Sequence, residues 1–154
     1  MGCSCINCVR LDWGAVIWSV DAYENRLRVH TELGGVRLGM TKDDVLFEKG
    51  EPDRKVDEKG VGRTWAYGPS ERPEVIVLYD NGTVGLIIGT NRYDSVSGIR
   101  IGADSDRVIA KFGEPIITGD GTSRYYDYPR YNVQFLLEKR RVKLIVVKFF
   151  KQSD

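Results

Sequence analysis

The strongest constraint on this chain is a stretch that it contains twice. Gly35–Pro52 reads GVRLGMTKDDVLFEKGEP and Gly98–Pro115 reads GIRIGADSDRVIAKFGEP, an offset of 98 − 35 = 63 residues. Gly35, Arg37, Gly39, Asp43, Val45, Gly50, Glu51 and Pro52 recur as Gly98, Arg100, Gly102, Asp106, Val108, Gly113, Glu114 and Pro115. The local chemistry is that of a short helix with its punctuation. Thr41 and Asp104 suit the N-cap, where a side-chain oxygen accepts from an orphan amide. Asp44, three residues after Thr41, completes a capping box. Asp43 and Asp106 favour the positive end of the helix dipole. Gly50 and Gly113 can close the helix in a left-handed conformation, and Pro52 and Pro115 block its continuation. A helix of about two turns is not stable alone and must lie against a sheet.

Strand signals follow each stretch. They fall on Thr64–Tyr67, Val75–Tyr79 and Val84–Ile88, then on Arg124–Tyr128, Val133–Leu137 and Val142–Phe149. Asp80-Asn81-Gly82 is a strong hairpin turn, because Asn-Gly accepts positive φ at low cost. Glu138–Arg141 is the corresponding turn, charged rather than glycine-rich. The polar segments 53–63 and 119–123 read as loops. The expected fold is α+β: two tandem helix-plus-three-strand repeats forming an antiparallel sheet, with short helices packed on one face. An N-terminal arm (1–34) precedes repeats at 35–97 and 98–154, which share one core, as suits 154 residues.

The order Val36-Arg37-Leu38-Gly39-Met40-Thr41, Val45, Gly50-x-Pro52, Trp65-x-Tyr67, Asn81-Gly82 and Val84 resembles the BamE/SmpA-type outer-membrane assembly lipoproteins. Its doubling is similar to the β-lactamase-inhibitor-protein-like (BLIP-like) superfamily. The resemblance spans roughly residues 35–149 and implies a binding module without catalysis, usually in the bacterial envelope. It implies a structural role for Gly39, Thr41, Gly50 and Pro52.

The residues themselves speak against chemistry. The single histidine, His30, has no evident Ser-His-Asp partners. Helix electrostatics account for Asp43 and Asp44, and for Asp104 and Asp106, without an acid–base role. The glycines of residues 34–39 lack the G-x-x-x-x-G-K-[ST] pattern of a phosphate loop. No catalytic residue and no cofactor is expected. Cys3, Cys5 and Cys8, the only cysteines, have thiolate spacing but no nearby fourth ligand, so no metal site is expected. Gly2-Cys3-Ser4 fits the end of a bacterial lipoprotein cleavage site, which would make Cys3 a lipid anchor in the envelope. As it stands the chain carries no signal peptide and reads as cytoplasmic.

Binding is the remaining class. Alternation sets Trp65 and Tyr67 on one strand face, and Tyr126 and Tyr128 on another. Tyr79, Tyr125 and Tyr131 extend the aromatic set, with Arg124, Asp127 and Arg130 as a polar rim. These rings either fill the core or line the open face of the sheet, where Tyr and Trp would anchor a protein partner. Lys139, Arg140, Arg141 and Lys143 begin a basic run that continues to Lys148 and Lys151. It is either a solvated strand edge or a patch for an acidic partner. The second function class is a small-molecule or nucleic-acid binder using the aromatic face and this basic edge. The formal net charge of +1 speaks against nucleic acid as the main ligand.

Overall fold

The computed structural model describes residues 25–58, 62–79 and 81–150. The cysteine cluster, most of the N-terminal arm, Asp80 and Lys151 lie outside the described residues. The first described strands form a ribbon, β1 (Glu32–Leu33) and β2 (Val36–Arg37), followed by helix α1 (Lys42–Lys49). Strands β3 (Arg54–Glu58), β4 (Gly62–Tyr67), β5 (Glu74–Leu78) and β6 (Val84–Gly89) come next. A second ribbon, β7 (Ser95–Val96) and β8 (Ile99–Arg100), leads into α2 (Ser105–Phe112). Then come β9 (Ile116–Asp120), β10 (Ser123–Tyr128), a 3-10 turn (Pro129–Tyr131), β11 (Val133–Glu138) and β12 (Arg141–Lys148).

Eight strands form one antiparallel sheet in the order β3-β4-β5-β6-β12-β11-β10-β9. This corrects the expected fold class. Strand dominates, and each helix is followed by four strands rather than three. The extra ones are the sheet edges β3 and β9, within and beside the segments read as loops. Edge strands are solvated on both faces, and every residue of β9 is exposed, so they carry no hydrophobic alternation to read. Among the described residues the helices form no covering layer. Each has eight residues, and α1 fully buries only Val45. Leu33 and Val36 of one ribbon, and Val96 and Ile99 of the other, are buried in the same core as the helix residues Val45, Val108 and Phe112.

The helix punctuation is as the sequence indicates, with one difference. Thr41 Oγ1 accepts from the Asp44 amide at 3.2 Å and Asp44 Oδ2 accepts from the Thr41 amide at 3.1 Å. The Asp104 carboxylate accepts from the Asp106 amide at 2.9 Å. Gly50 (φ 75, ψ −165) and Gly113 (φ 91, ψ −167) close the helices outside the left-handed helical well. They occupy an extended positive-φ region open essentially to glycine alone.

Candidate protein-binding face

The four central aromatics belong to the core. Trp65, Tyr67, Tyr126 and Tyr128 are 4–9% exposed, which corrects their placement on a binding face. Period-two alternation puts Trp65 with Tyr67 but does not say which face they share. The helix C-termini decide it. Tyr67 Oη donates to the Gly50 carbonyl and Tyr128 Oη to the Gly113 carbonyl, each at 2.9 Å. These bonds satisfy both the phenol and a terminal helix carbonyl. Burial raises the pKa of both phenols, helped at Tyr67 by Glu51, Glu74 and Asp53 and at Tyr128 by Tyr126 and Glu114.

The other aromatics scatter. Tyr131 packs edge-on against Phe112, with ring centroids 5.6 Å apart. The Tyr79 ring lies over Gly85, where a Cβ would meet it at 2.2 Å, so it fills the place of a missing side chain. Arg124 pairs in register with the buried Leu137, so it projects beside the core. Arg130 stands over the Tyr131 ring at 5.8 Å. Tyr125, 38% exposed, stands on the face of the sheet that no described element covers, opposite Leu136. The rim residue Asp127 is on that face too, accepting from Gln134 Nε2 at 2.7 Å.

The face that no described element covers is aliphatic. Strand register sets Ala66, Val75, Ile88, Val146, Gln134 and Asp127 in one row across six strands. Val77 and Leu86 form a second row, and Leu144 and Leu136 a third. These side chains are half-buried by one another, and only Val146 is fully buried. An antiparallel sheet with one solvated face normally alternates apolar and polar residues. Here β5 (EVIVL), β6 (VGLIIG) and the end of β12 (LIVV) are apolar on both faces. That run was the sequence signal, and it lay in strands rather than in aromatics.

The basic run is not one open patch. Lys139 (φ 52) and Arg140 (φ 66) form the β11–β12 hairpin turn in the left-handed region. The Arg140 guanidinium turns to the cap of α2, 3.0 Å from Asp106 Oδ2 and 3.8 Å from Asp104 Oδ2. Arg141 donates to the Gly102 carbonyl at 3.1 Å and Lys143 pairs with Glu138 at 2.8 Å. That pair holds the Glu138 carboxyl below its ordinary range.

A buried His–Ser contact escaped sequence reasoning because it joins residues 67 apart. His30 Nε2 lies 2.7 Å from Ser97 Oγ, and the Ser97 hydroxyl donates to the Arg26 carbonyl at 2.8 Å. With the hydroxyl proton committed there, the imidazole must donate to Ser97, the reverse of nucleophile activation. Burial, with Arg28 nearby, lowers the His30 pKa to about 4. The contact is a neutral cross-link. Among the described residues no group of three or more His, Cys, Asp or Glu is placed to hold a metal.

No protein-family model matches the sequence, and no curated protein does. Solved structures share the fold. A DUF4309 family protein (YjgB) from Bacillus subtilis subsp. subtilis str. 168 superposes with a TM-score of 0.58 at 15% identity, covering 84% of this chain and 92% of its own. An extracellular protein containing an SCP domain from Bacillus anthracis str. Ames gives 0.54 at 14% identity over 73% of this chain and 44% of that one. A cysteine-rich secretory protein from Staphylococcus aureus subsp. aureus Mu50 gives 0.53 at 11% identity over 81% and 48%. The chain thus spans less than half the length of two of these proteins. None of the three is described as a BamE/SmpA-type or BLIP-like protein. At these identities the likeness concerns the fold, which is compatible with a non-enzymatic binding module.

Proposed function

We propose that the chain is a protein-binding module whose partner covers the uncovered face of the sheet. The observation that carries this is the aliphatic surface of Val75, Val77, Leu86, Ile88, Leu136 and Leu144 on the side away from the helices. Contiguous apolar surface of this kind marks interaction sites in folded proteins. The motif's resemblance to BamE/SmpA-type and BLIP-like proteins supports the same class, with envelope assembly or enzyme inhibition as its setting. Two fold neighbours are described as extracellular or secretory, which agrees with a role at the cell surface.

The test is site-specific photo-crosslinking in the native host, with the reactive residue at Val77 or Leu86 and, as control, at Phe47, 88% exposed on α1. The expected result is a partner captured from the sheet positions alone, whose purified complex is lost in Val77→Glu without a large fall in Tm. Crosslinks confined to the chain itself, or equal capture from Phe47, would refute the proposal.

A further inference from the structure

A groove of about 770 Å³ opens where β6 and β12 meet. Its origin is a stagger. Strand β12 begins at Arg141, but its first residue paired with β6 is Ile145, opposite Gly89. The chain leaves the sheet after Gly89, and Thr90 Oγ1 donates to the Pro73 carbonyl at 2.9 Å. Residues 141–144 therefore run past the end of their neighbour. Only Val142 finds backbone partners there, its amide donating to the Ala103 carbonyl at 2.9 Å and its carbonyl accepting from the Gly102 amide at 2.7 Å. The gap is floored by Val75, Ile88, Leu144 and Ile101.

Its rim is cationic out of proportion to the chain. Arg72, Arg92, Lys139, Arg141 and Lys143 face Glu71 and Glu138, so the rim carries 5 − 2 = +3 in a protein of formal net charge +1. The Lys143–Glu138 pair removes one charge of each sign. The Arg92 guanidinium lies 4.8 Å over the Tyr93 ring and donates to the Tyr93 hydroxyl at 2.7 Å, which leaves its charge unneutralised. Among the described residues, no ion pair holds Arg72 or Lys139. An apolar floor beneath unneutralised cations is complementary to one kind of molecule. The volume falls within the roughly 300–1,000 Å³ of small-ligand sites.

We infer that this groove binds a small amphiphilic anion, an acyl chain or ring system ending in one carboxylate, sulfonate or phosphate group. The apolar body lies along Val75, Ile88 and Leu144, and the anionic end meets Arg72 and Lys139. The groove shares Val75, Ile88 and Leu144 with the proposed protein-binding face. The two readings separate at the cationic rim, which only the anion uses, and at Val77 and Leu86, which lie outside the groove.

The test takes laurate below its micelle concentration as probe, added to the intact chain. Amide NMR shifts should move at Ile88, Thr90, Val142 and Leu144 with one-to-one saturation. Dodecyltrimethylammonium, the same chain with a cationic end, should leave them in place. Arg72→Ala with Lys139→Ala should weaken laurate about tenfold or more, which is 1.4 kcal/mol or more, and added salt should weaken it further. Capture of a protein through Val77 should survive in that variant. Equal binding of the cationic probe, shifts confined to other residues, or unchanged affinity in the double variant would overturn the inference. Shift mapping on the unaltered chain decides even where a variant folds poorly.

Discussion

The two helix C-termini sit at equivalent places and are held in opposite ways. Lys49 ends α1, and its ammonium lies 2.9 Å from Glu74 Oε2, 3.3 Å from the Gly34 carbonyl and 5.6 Å from the Tyr67 ring centroid. Phe112 ends α2, with its ring 5.0 Å from Tyr128, 5.6 Å from Tyr131 and 5.4 Å from Phe135. The residue opposite Tyr67 in the sheet is Glu74, and the residue opposite Tyr128 is Val133. The matching positions hold a cation and a carboxylate, Lys49 and Glu74, in the first half and a ring and an aliphatic, Phe112 and Val133, in the second. A second contrast lies beside it. Gly34 (φ 62) and Ser97 (φ 50) occupy matching left-handed turn positions. A Cβ at Gly34 would come within 2.9 Å of the Glu74 carboxylate, whereas the Ser97 side chain is the anchor for His30. The backbone fixes where a contact must be made and leaves its chemistry open.

Breaking the apolar side should have the largest effect. Phe112→Ala is expected to cost about 3–5 kcal/mol, the usual range for truncating a buried phenylalanine, read from urea denaturation. A loss no larger than that of Lys49→Ala would mean the ring cluster does not hold the second half.

The His30–Ser97 contact should make stability pH-dependent. The folded pKa of about 4 lies below the unfolded value of 6.5, so between them the unfolded chain binds the proton and the native state does not. Stability is therefore fully present above about pH 6.5, declines as pH falls toward about 4 and stops declining below that. The loss is up to about 3 kcal/mol from this group. His30→Asn should flatten that part of the profile; an unchanged slope would assign it to other groups.

Lys49→Ala should cost about 1–3 kcal/mol at neutral pH, because Glu74 keeps its desolvation and loses its counter-charge. Burial raises the Glu74 pKa, and Lys49 opposes the rise. A carboxyl with a raised folded pKa costs stability when ionised, so the deficit should shrink as pH is lowered through that pKa. A deficit independent of pH would place the effect in lost packing of the lysine stem.

Tyr67→Phe and Tyr128→Phe each remove one bond to a helix-end carbonyl and should cost about 1 kcal/mol apiece. Unequal costs would show that the two helix ends depend on their phenols to different degrees. The smallest net effect belongs to the exchange Lys49→Phe with Glu74→Val, which rebuilds the second half's solution in the first. Replacing an ion pair by apolar residues is often neutral or stabilising. A double-mutant cycle should give a pair near wild type despite costly single changes. A pair as unstable as the sum of its singles would mean that the surroundings, not the two residues, set the chemistry.

Much of the sheet was legible because its inner strands carry apolar residues on a buried face. All six strands expected from 64 onward are present, five with ends within one residue and β4 starting two residues early at Gly62, and the Thr41 and Asp104 caps are local chemistry. The edges β3 and β9 escaped because solvated strands have no pattern. The two-residue ribbons escaped because two residues hold no period. The candidate site was read from the wrong side chains: aromatics attract attention as interface anchors, but Trp65, Tyr67, Tyr126 and Tyr128 were needed between sheet and helix ends. The groove was beyond reach of the sequence, since it arises from a stagger between strands more than fifty residues apart.

The β6–β12 junction also sets a timetable. The last of the described strands, β12, is inserted in the middle of the sheet, between β6 and β11. While the chain is being synthesised, β6 stands as an open apolar edge for the 148 − 89 = 59 residues that separate the end of β6 from the end of β12. At about 5–20 residues per second that exposure lasts roughly 3–12 s. A truncated product ending before Val142 would keep it permanently, with VGLIIG free to pair with another chain. Quality control of this sheet therefore turns on β12, and termination before it should yield aggregates rather than a smaller working module.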